Sequence, residues 1–165
     1  MIFVLDTNVL WKTRELAQLA AAAKRQGHSV EVPALAHAER LAQVRRKVHQ
    51  DGKTFDAAFV EAFFQTHGLQ VVPFDKALAE RCAESLAQRY PEKEHWHAAR
   101  RARCALRFQL PQDDAGKPCP ATVDWYLYAP YEAAPFVFVT LDSGTEFAGT
   151  GAVSLDSAIR LAGEP

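Results

Sequence analysis

The sequence predicts an α/β fold with a central, mainly parallel sheet of four to five strands between two layers of helices. Two patterns carry this prediction: short apolar runs typical of strands covered on both faces, and longer amphipathic segments that alternate with them. Strands that alternate with helices favour parallel pairing. A length of 165 residues and a hydrophobic content of 48% fit one domain with a substantial core. We therefore expect residues 1–165 to form a single three-layer α/β/α domain.

Four apolar runs are predicted as strands, and a fifth segment is a candidate. They are, in chain order, Ile2–Leu5, Ser29–Val32, Leu69–Val72, Phe136–Thr140 and the short candidate Ala152–Leu155. Ile2–Leu5 is continuously apolar, which suits a strand buried on both faces. In an open parallel sheet, binding sites form at the carboxyl ends of such strands.

Helices are predicted between the strands. They cover Lys12–Gln26, Pro33 to about His49, Thr54–Thr66, Lys76–Arg89, Glu94–Phe108 and Thr122 to about Tyr128. Gly27 is a suitable C-terminal cap for the first helix, and Asp75 a suitable N-terminal cap for the fourth. Pro130 and Pro135 are expected to kink or shorten the last helix.

Composition limits the class of protein. The three cysteines, Cys82, Cys104 and Cys119, are an odd number at irregular spacing, which argues against a secreted disulfide framework and a structural zinc site. We find no positively charged leader and no apolar window of membrane-spanning length, so a cytoplasmic protein is expected. With a net charge of −1, any affinity for nucleic acid must come from local basic clusters.

Acidic residues follow the predicted strands at positions that suggest a shared site. Asp6 directly follows the first strand and Asp142 follows the fourth, so parallel neighbours would place both at one edge of the sheet. Asp124 begins the helix that returns toward the fourth strand, and such helices start at the same edge. Each aspartate alone could instead be a turn or helix cap, so the pair is stronger evidence than either member.

Glu39 lies about two turns into the helix after the second strand, among small and apolar neighbours. Taken alone, it is more simply interpreted as a solvent-facing glutamate, paired with Arg40 or Gln43. If it joined the three aspartates, four carboxylates at one edge would need a compensating cation. Mg²⁺ or Mn²⁺ is the expected partner, because both prefer oxygen ligands. Such a site could activate water toward a phosphodiester bond.

Three segments, in chain order, resemble one known family. Phe3–Leu10 (FVLDTNVL), Val32–Glu39 (VPALAHAE) and Val71–Ala79 (VVPFDKALA) are similar to the corresponding strands and helices of PIN domains, and especially of VapC-type toxins. A further resemblance to that family lies in Asp124, which begins a helix, and in Thr140-Leu141-Asp142, which follows the next strand. The resemblance implies a PIN-like fold and a metal-dependent endonuclease for single-stranded RNA.

The same resemblance implies roles for individual residues and for partners. The catalytic and metal-binding set would be Asp6, Glu39, Asp124 and Asp142, with Asn8 and Thr140 orienting ligands or water. A protein antitoxin and a homodimer are the partners that it suggests, beside the RNA substrate. Trp11, just after the Asp6 turn, is interpreted as a packing residue rather than a base-stacking one.

Residues 91–121 form a longer insert than compact members of this family carry. Arg100, Arg103 and Arg107 share one face of the helix predicted there, and this basic stripe could bind RNA. The alternative is an amphipathic helix whose arginines are solvated. After Asp142, Glu146 could supply a further carboxylate or could lie in a solvated loop.

Two other functions are compatible with parts of the pattern. A phosphatase of the haloacid-dehalogenase type also has an aspartate after its first strand, but its acid–base step requires a second aspartate two residues later. Asn8 occupies that position, which weakens this alternative. A non-catalytic PIN scaffold that binds RNA or protein is the other, and the retention of four acidic residues argues against it.

Overall fold

The computed structural model describes residues 1–94, 98, 122–143, 147 and 149–164. Its sheet has four parallel strands, in the order β3-β2-β1-β4. The strands are β1 (Ile2–Leu5), β2 (Ser29–Pro33), β3 (Gln70–Val72) and β4 (Phe136–Val139). The predicted parallel α/β/α fold is confirmed.

Six helices of two turns or more are described beside the sheet. They are α1 (Thr13–Arg25), α2 (Ala34–Gln50), α3 (Ala57–His67), α4 (Lys76–Arg89), α5 (Thr122–Tyr128) and α6 (Leu155–Gly163). Two short 3-10 helices, Thr7–Trp11 and Ala129–Tyr131, follow β1 and α5. Helix α1 packs on α6 and β2, and α2 packs on β2, β3 and the Thr7–Trp11 turn.

Local side-chain caps explain where several helices begin. Helix α3 starts at Ala57 rather than at the predicted Thr54, because the Asp56 carboxylate accepts a hydrogen bond from the backbone N–H of Ala58. Asp75 caps α4 in the same way through the N–H of Leu78, as predicted. These caps satisfy backbone donors that the first helical turn leaves without a partner.

The C-terminal region differs from its prediction. The candidate strand Ala152–Leu155 is reduced to one bridge, between Val139 and Val153, so the prediction of a fifth strand there was wrong. Ser154 instead caps α6, accepting a hydrogen bond from the N–H of Ser157. Helix α6 was not predicted from sequence; its buried face is formed by Leu155, Ala158 and Ala162.

The centre of the sheet is also the centre of the core. Phe3, Val4 and Leu5 of β1 have no solvent exposure, and β1 pairs with β2 on one side and β4 on the other. The end of β1 is therefore held in place by two neighbouring strands. In the part of the chain that the structure describes, no helix has the length and apolarity needed to cross a membrane.

Candidate functional site

Asp6 lies at the carboxyl end of β1, and its backbone N–H donates to the carbonyl oxygen of Val139 at the end of β4. Its side chain is only 5% exposed. One carboxylate oxygen, Oδ1, accepts from the N–H of Thr7 at 2.6 Å and so caps the Thr7–Trp11 turn. The other, Oδ2, accepts from the hydroxyl of Thr140 at 2.7 Å. The residue thus both caps a turn and connects two strand ends.

The surroundings of Asp6 disfavour its negative charge. Burial is the largest effect and, although the hydrogen bonds from Thr140 and Thr7 act in the opposite direction, the pKa of Asp6 is raised from 3.8 to about 6. The nearby carboxylates of Asp142 and Glu39 make smaller contributions in the same direction as burial, and this pKa includes them. At neutral pH the site therefore holds an ionised, buried carboxylate that a nearby cation would stabilise.

Thr140 is fully buried and connects Asp6 to Asp142. Its hydroxyl has one proton, which it donates to Asp6, and its oxygen accepts from the side-chain amide of Asn8 and from the backbone N–H of Asp142, each at 3.1 Å. The Asn8 amide nitrogen also donates to Oδ2 of Asp142 at 2.8 Å, while the Asn8 carbonyl oxygen accepts from the N–H of Leu141 at 3.1 Å. Asn8 and Thr140 thus contact the carboxylates that they were expected to orient.

Glu39 reaches the same end of the sheet from α2. Its Oε2 accepts from the hydroxyl of Thr7 at 2.5 Å, and its side chain is half-buried rather than fully solvent-facing. Thr7 was not predicted from sequence as part of the site. Its position between Asp6 and Asn8 is the available signal, since two adjacent site residues fix the turn on which it lies.

Asp124 is 8% exposed and lies in the first turn of α5. Asp142 and Glu39 both affect the charge of Asp6, and Glu39 is bonded to Thr7 beside it. Three of the four predicted carboxylates are thus brought together, and membership of Asp124 stays a prediction. The predicted RNA-binding residues Arg100, Arg103 and Arg107 lie outside the described residues, as do Glu146 and most of the 91–121 insert.

A divalent ion fits this end of the sheet by donor chemistry. In the described ranges, neither Asp6 nor Glu39 forms an ion pair with a lysine or arginine. Each oxygen of an ionised carboxylate can accept more than one interaction, so the Asp6 oxygens keep capacity to bind a cation. As they stand, however, no group of three or more histidine, cysteine, aspartate or glutamate side chains within those ranges is gathered closely enough to hold a metal. Binding therefore requires the carboxylates to turn toward a common point.

The site thus consists of three carboxylates from β1, α2 and the end of β4, with Thr7, Asn8 and Thr140 bonded to them. Such an acidic cluster can bind a cation, and a single carboxylate in it can also act as a base or a nucleophile. Comparison with known proteins does not supply a function, because no protein-family model and no curated protein matches the chain.

Proposed function

We propose that the chain is a metal-dependent endoribonuclease that cleaves phosphodiester bonds of single-stranded RNA. One observation carries this proposal: the buried carboxylate of Asp6 has two others, Asp142 and Glu39, near enough to raise its pKa, and has no cationic side chain paired with it in the described part. Negative charge collected in this way is costly for a fold unless it serves a cation.

Mg²⁺ or Mn²⁺ is the cofactor that this donor set favours, since both take oxygen ligands and retain water. Such an ion would supply an activated water and stabilise negative charge on the phosphodiester oxygens. Asp6 and Asp142 are the proposed primary ligands, with Glu39 and Asp124 completing the site or orienting waters. Thr140 and Asn8 hold the first two carboxylates in place.

The resemblance to PIN domains supports RNA as the phosphodiester. It also supports a protein antitoxin and a homodimer as partners, and a cytoplasmic location, all of which belong to this proposal. The resemblance and the cluster are independent arguments, because the first comes from sequence motifs and the second from the contacts of the folded chain.

A phosphatase of the haloacid-dehalogenase type is a weaker candidate. Its second acid would occupy the position of Asn8, whose amide is already bonded to Thr140, Asp142 and Leu141. An amide cannot transfer a proton as a carboxyl group does. A trapped acyl phosphate on Asp6, formed from a small phosphate ester, would nevertheless support this alternative.

The direct test is cleavage of single-stranded RNA by the purified chain with Mn²⁺, with and without a chelator. We expect Asp6→Asn to reduce the rate by at least about a hundredfold, since the ion contributes several kcal/mol to such reactions. Asp75→Asn is the matched control: it also follows a strand, and asparagine caps helices as well as aspartate does.

The control variant should cleave at the wild-type rate. Equal cleavage by wild type and Asp6→Asn, or cleavage that persists in excess chelator, would contradict the proposal. An inactive wild type with intact RNA binding would instead support the non-catalytic scaffold.

A further inference from the structure

A groove of about 630 Å³ lies between α2, α3 and the Thr7–Trp11 turn, separate from the carboxylates. Its floor is apolar, with Leu10, Val44 and Val60 among its lining residues. Two aromatic side chains on it are unusually accessible: Trp11 is 43% exposed and Phe59 is 80% exposed. Exposed aromatic groups around a groove are a common feature of binding surfaces.

The charge of the groove is mainly positive. Arg40, Lys47 and Lys53 line it, against one carboxylate, Asp51. On a chain whose net charge is −1, this concentration of cations favours an anionic partner over an apolar one.

The groove begins next to the carboxylate site. The Thr7 hydroxyl donates to Glu39, and Trp11 Nε1 donates to Oε1 of Gln43 at 2.7 Å. Trp11 comes four residues after Thr7, and Gln43 comes four residues after Glu39. Trp11 therefore lies about one helical turn along α2 from Glu39, roughly 5.4 Å along the helix axis. A polymer held at the carboxylates can reach the groove with an adjacent unit.

Trp11 and Arg40 already form a stacked pair, with the guanidinium carbon 3.3 Å from the ring centroid. One guanidinium nitrogen of Arg40, Nη1, is buried and has no hydrogen-bond acceptor in the described structure. A stacked ring and guanidinium can be extended by a nucleobase on the part of Trp11 that stays exposed, and the positive charge of Arg40 attracts a phosphate nearby.

We propose that this groove binds the single-stranded RNA next to the scissile bond, with one base stacked on the Trp11–Arg40 pair and the backbone along Lys47 and Lys53. The inference rests on the proposed function and gives Trp11 a base-stacking role in place of the packing role expected from sequence. The α2–α3 groove is thus a base-binding subsite, and the carboxylates are the cleavage site.

The test measures RNA binding without cleavage, by fluorescence anisotropy of labelled oligouridylate with Asp6→Asn as the background and a chelator present. Adding Trp11→Leu should weaken binding about tenfold, as loss of one stacked base does. Tyr126→Leu is the matched control, because Tyr126 is also an exposed aromatic side chain, 40% accessible, on α5. Its affinity should be unchanged.

The backbone contacts have their own variants, Lys47→Ala and Lys53→Ala, both at exposed positions. Each lost phosphate contact should reduce the slope of log affinity against log salt by about 0.7, while Lys24→Ala on α1 should leave it unchanged. These variants also keep the test decisive if Trp11→Leu does not fold. An oligomer with abasic sites should bind wild type more weakly but should bind Trp11→Leu with no further loss.

Unchanged binding in both the tryptophan and the lysine variants would overturn the proposal, as would failure of the wild type to bind RNA. A wild-type dimer that Phe59→Ser converts to monomer, with RNA binding intact, would show that a second copy occupies the groove and would also overturn it. RNA binding through the groove without any cleavage would support this inference and contradict the nuclease. RNA cleavage by the wild type, together with unchanged RNA binding by the groove variants, would support the nuclease and contradict this inference.

Discussion

Asp6 and Asp75 both follow parallel strands and both cap a helical turn, yet their surroundings differ. Asp6, after the central strand β1, is buried and connected to Thr140. Asp75, after the edge strand β3, is exposed, and its side chain caps α4 through the N–H of Leu78. A strand-end aspartate is therefore not a site by itself. A central strand has neighbours whose own strand ends bring further polar groups to the same point.

The largest expected difference between the two aspartates is in the pH dependence of stability. Because the pKa of Asp6 is raised to about 6 in the folded chain, the folded state binds more protons than the unfolded state between about pH 4 and pH 6. The free energy of unfolding should therefore fall by about 3 kcal/mol in total as pH rises through this window. Urea unfolding of the wild type in chelator should show this decline.

Asp6→Asn removes the charge and one hydrogen-bond acceptor, the latter worth about 1 kcal/mol. We expect this variant to be less stable than wild type near pH 4 and more stable near pH 7. Asp75→Asn should follow the wild-type curve throughout. A constant offset between Asp6→Asn and wild type at every pH would show that the Asp6 environment does not penalise its charge.

Thr140→Val tests the connection between the two strand ends. Valine has the same shape but no hydroxyl, so Asp6 loses a donor, and Asn8 and Asp142 lose an acceptor. The free energy of unfolding should fall by about 1–3 kcal/mol, and cleavage should fall roughly ten- to a hundredfold.

The control for this change is Thr66→Val, whose hydroxyl donates to the carbonyl of Ala62 on the exposed side of α3. Its unfolding free energy should change by less than about 0.5 kcal/mol. Similar losses in both variants would mean that the buried Thr140 hydroxyl has no special role.

The smallest effect is expected at Asp75. Asp75→Ala removes the side-chain cap of α4, at a cost of about 1 kcal/mol in unfolding free energy. RNA cleavage by this variant, measured well below its melting temperature, should equal that of wild type. A large loss of activity would extend the site to the end of β3 and remove the distinction between the two aspartates.

The sheet and half of the site could be predicted from sequence because they depend on local patterns. Apolar runs marked β1 and β4, and parallel pairing then placed Asp6 and Asp142 at one edge. The contact between Thr7 and Glu39 could not be predicted in this way, since it depends on how α2 is rotated about its axis. Helix α2 has basic residues both on the groove side and elsewhere, so sequence pattern alone does not determine that rotation.

In the C-terminal region, a strand was predicted where the helix α6 begins. Ala152–Leu155 has the composition of a strand, but Ser154 is an effective cap, and Leu155, Ala158 and Ala162 bury one helical face against the core. Helical periodicity over nine residues outweighs β propensity over four. For Asp124, the sequence located the start of α5 correctly, but the orientation of that helix depends on tertiary packing, which short-range patterns do not encode.

The central claim is that Asp6, Glu39 and Asp142 bind a divalent ion together. Anomalous diffraction from crystals grown with Mn²⁺ tests it most directly. We predict a manganese ion with oxygens of Asp6 and Asp142 at about 2 Å. Manganese that binds only elsewhere on the molecule, with no oxygen of Asp6 or Asp142 at coordination distance, would contradict it.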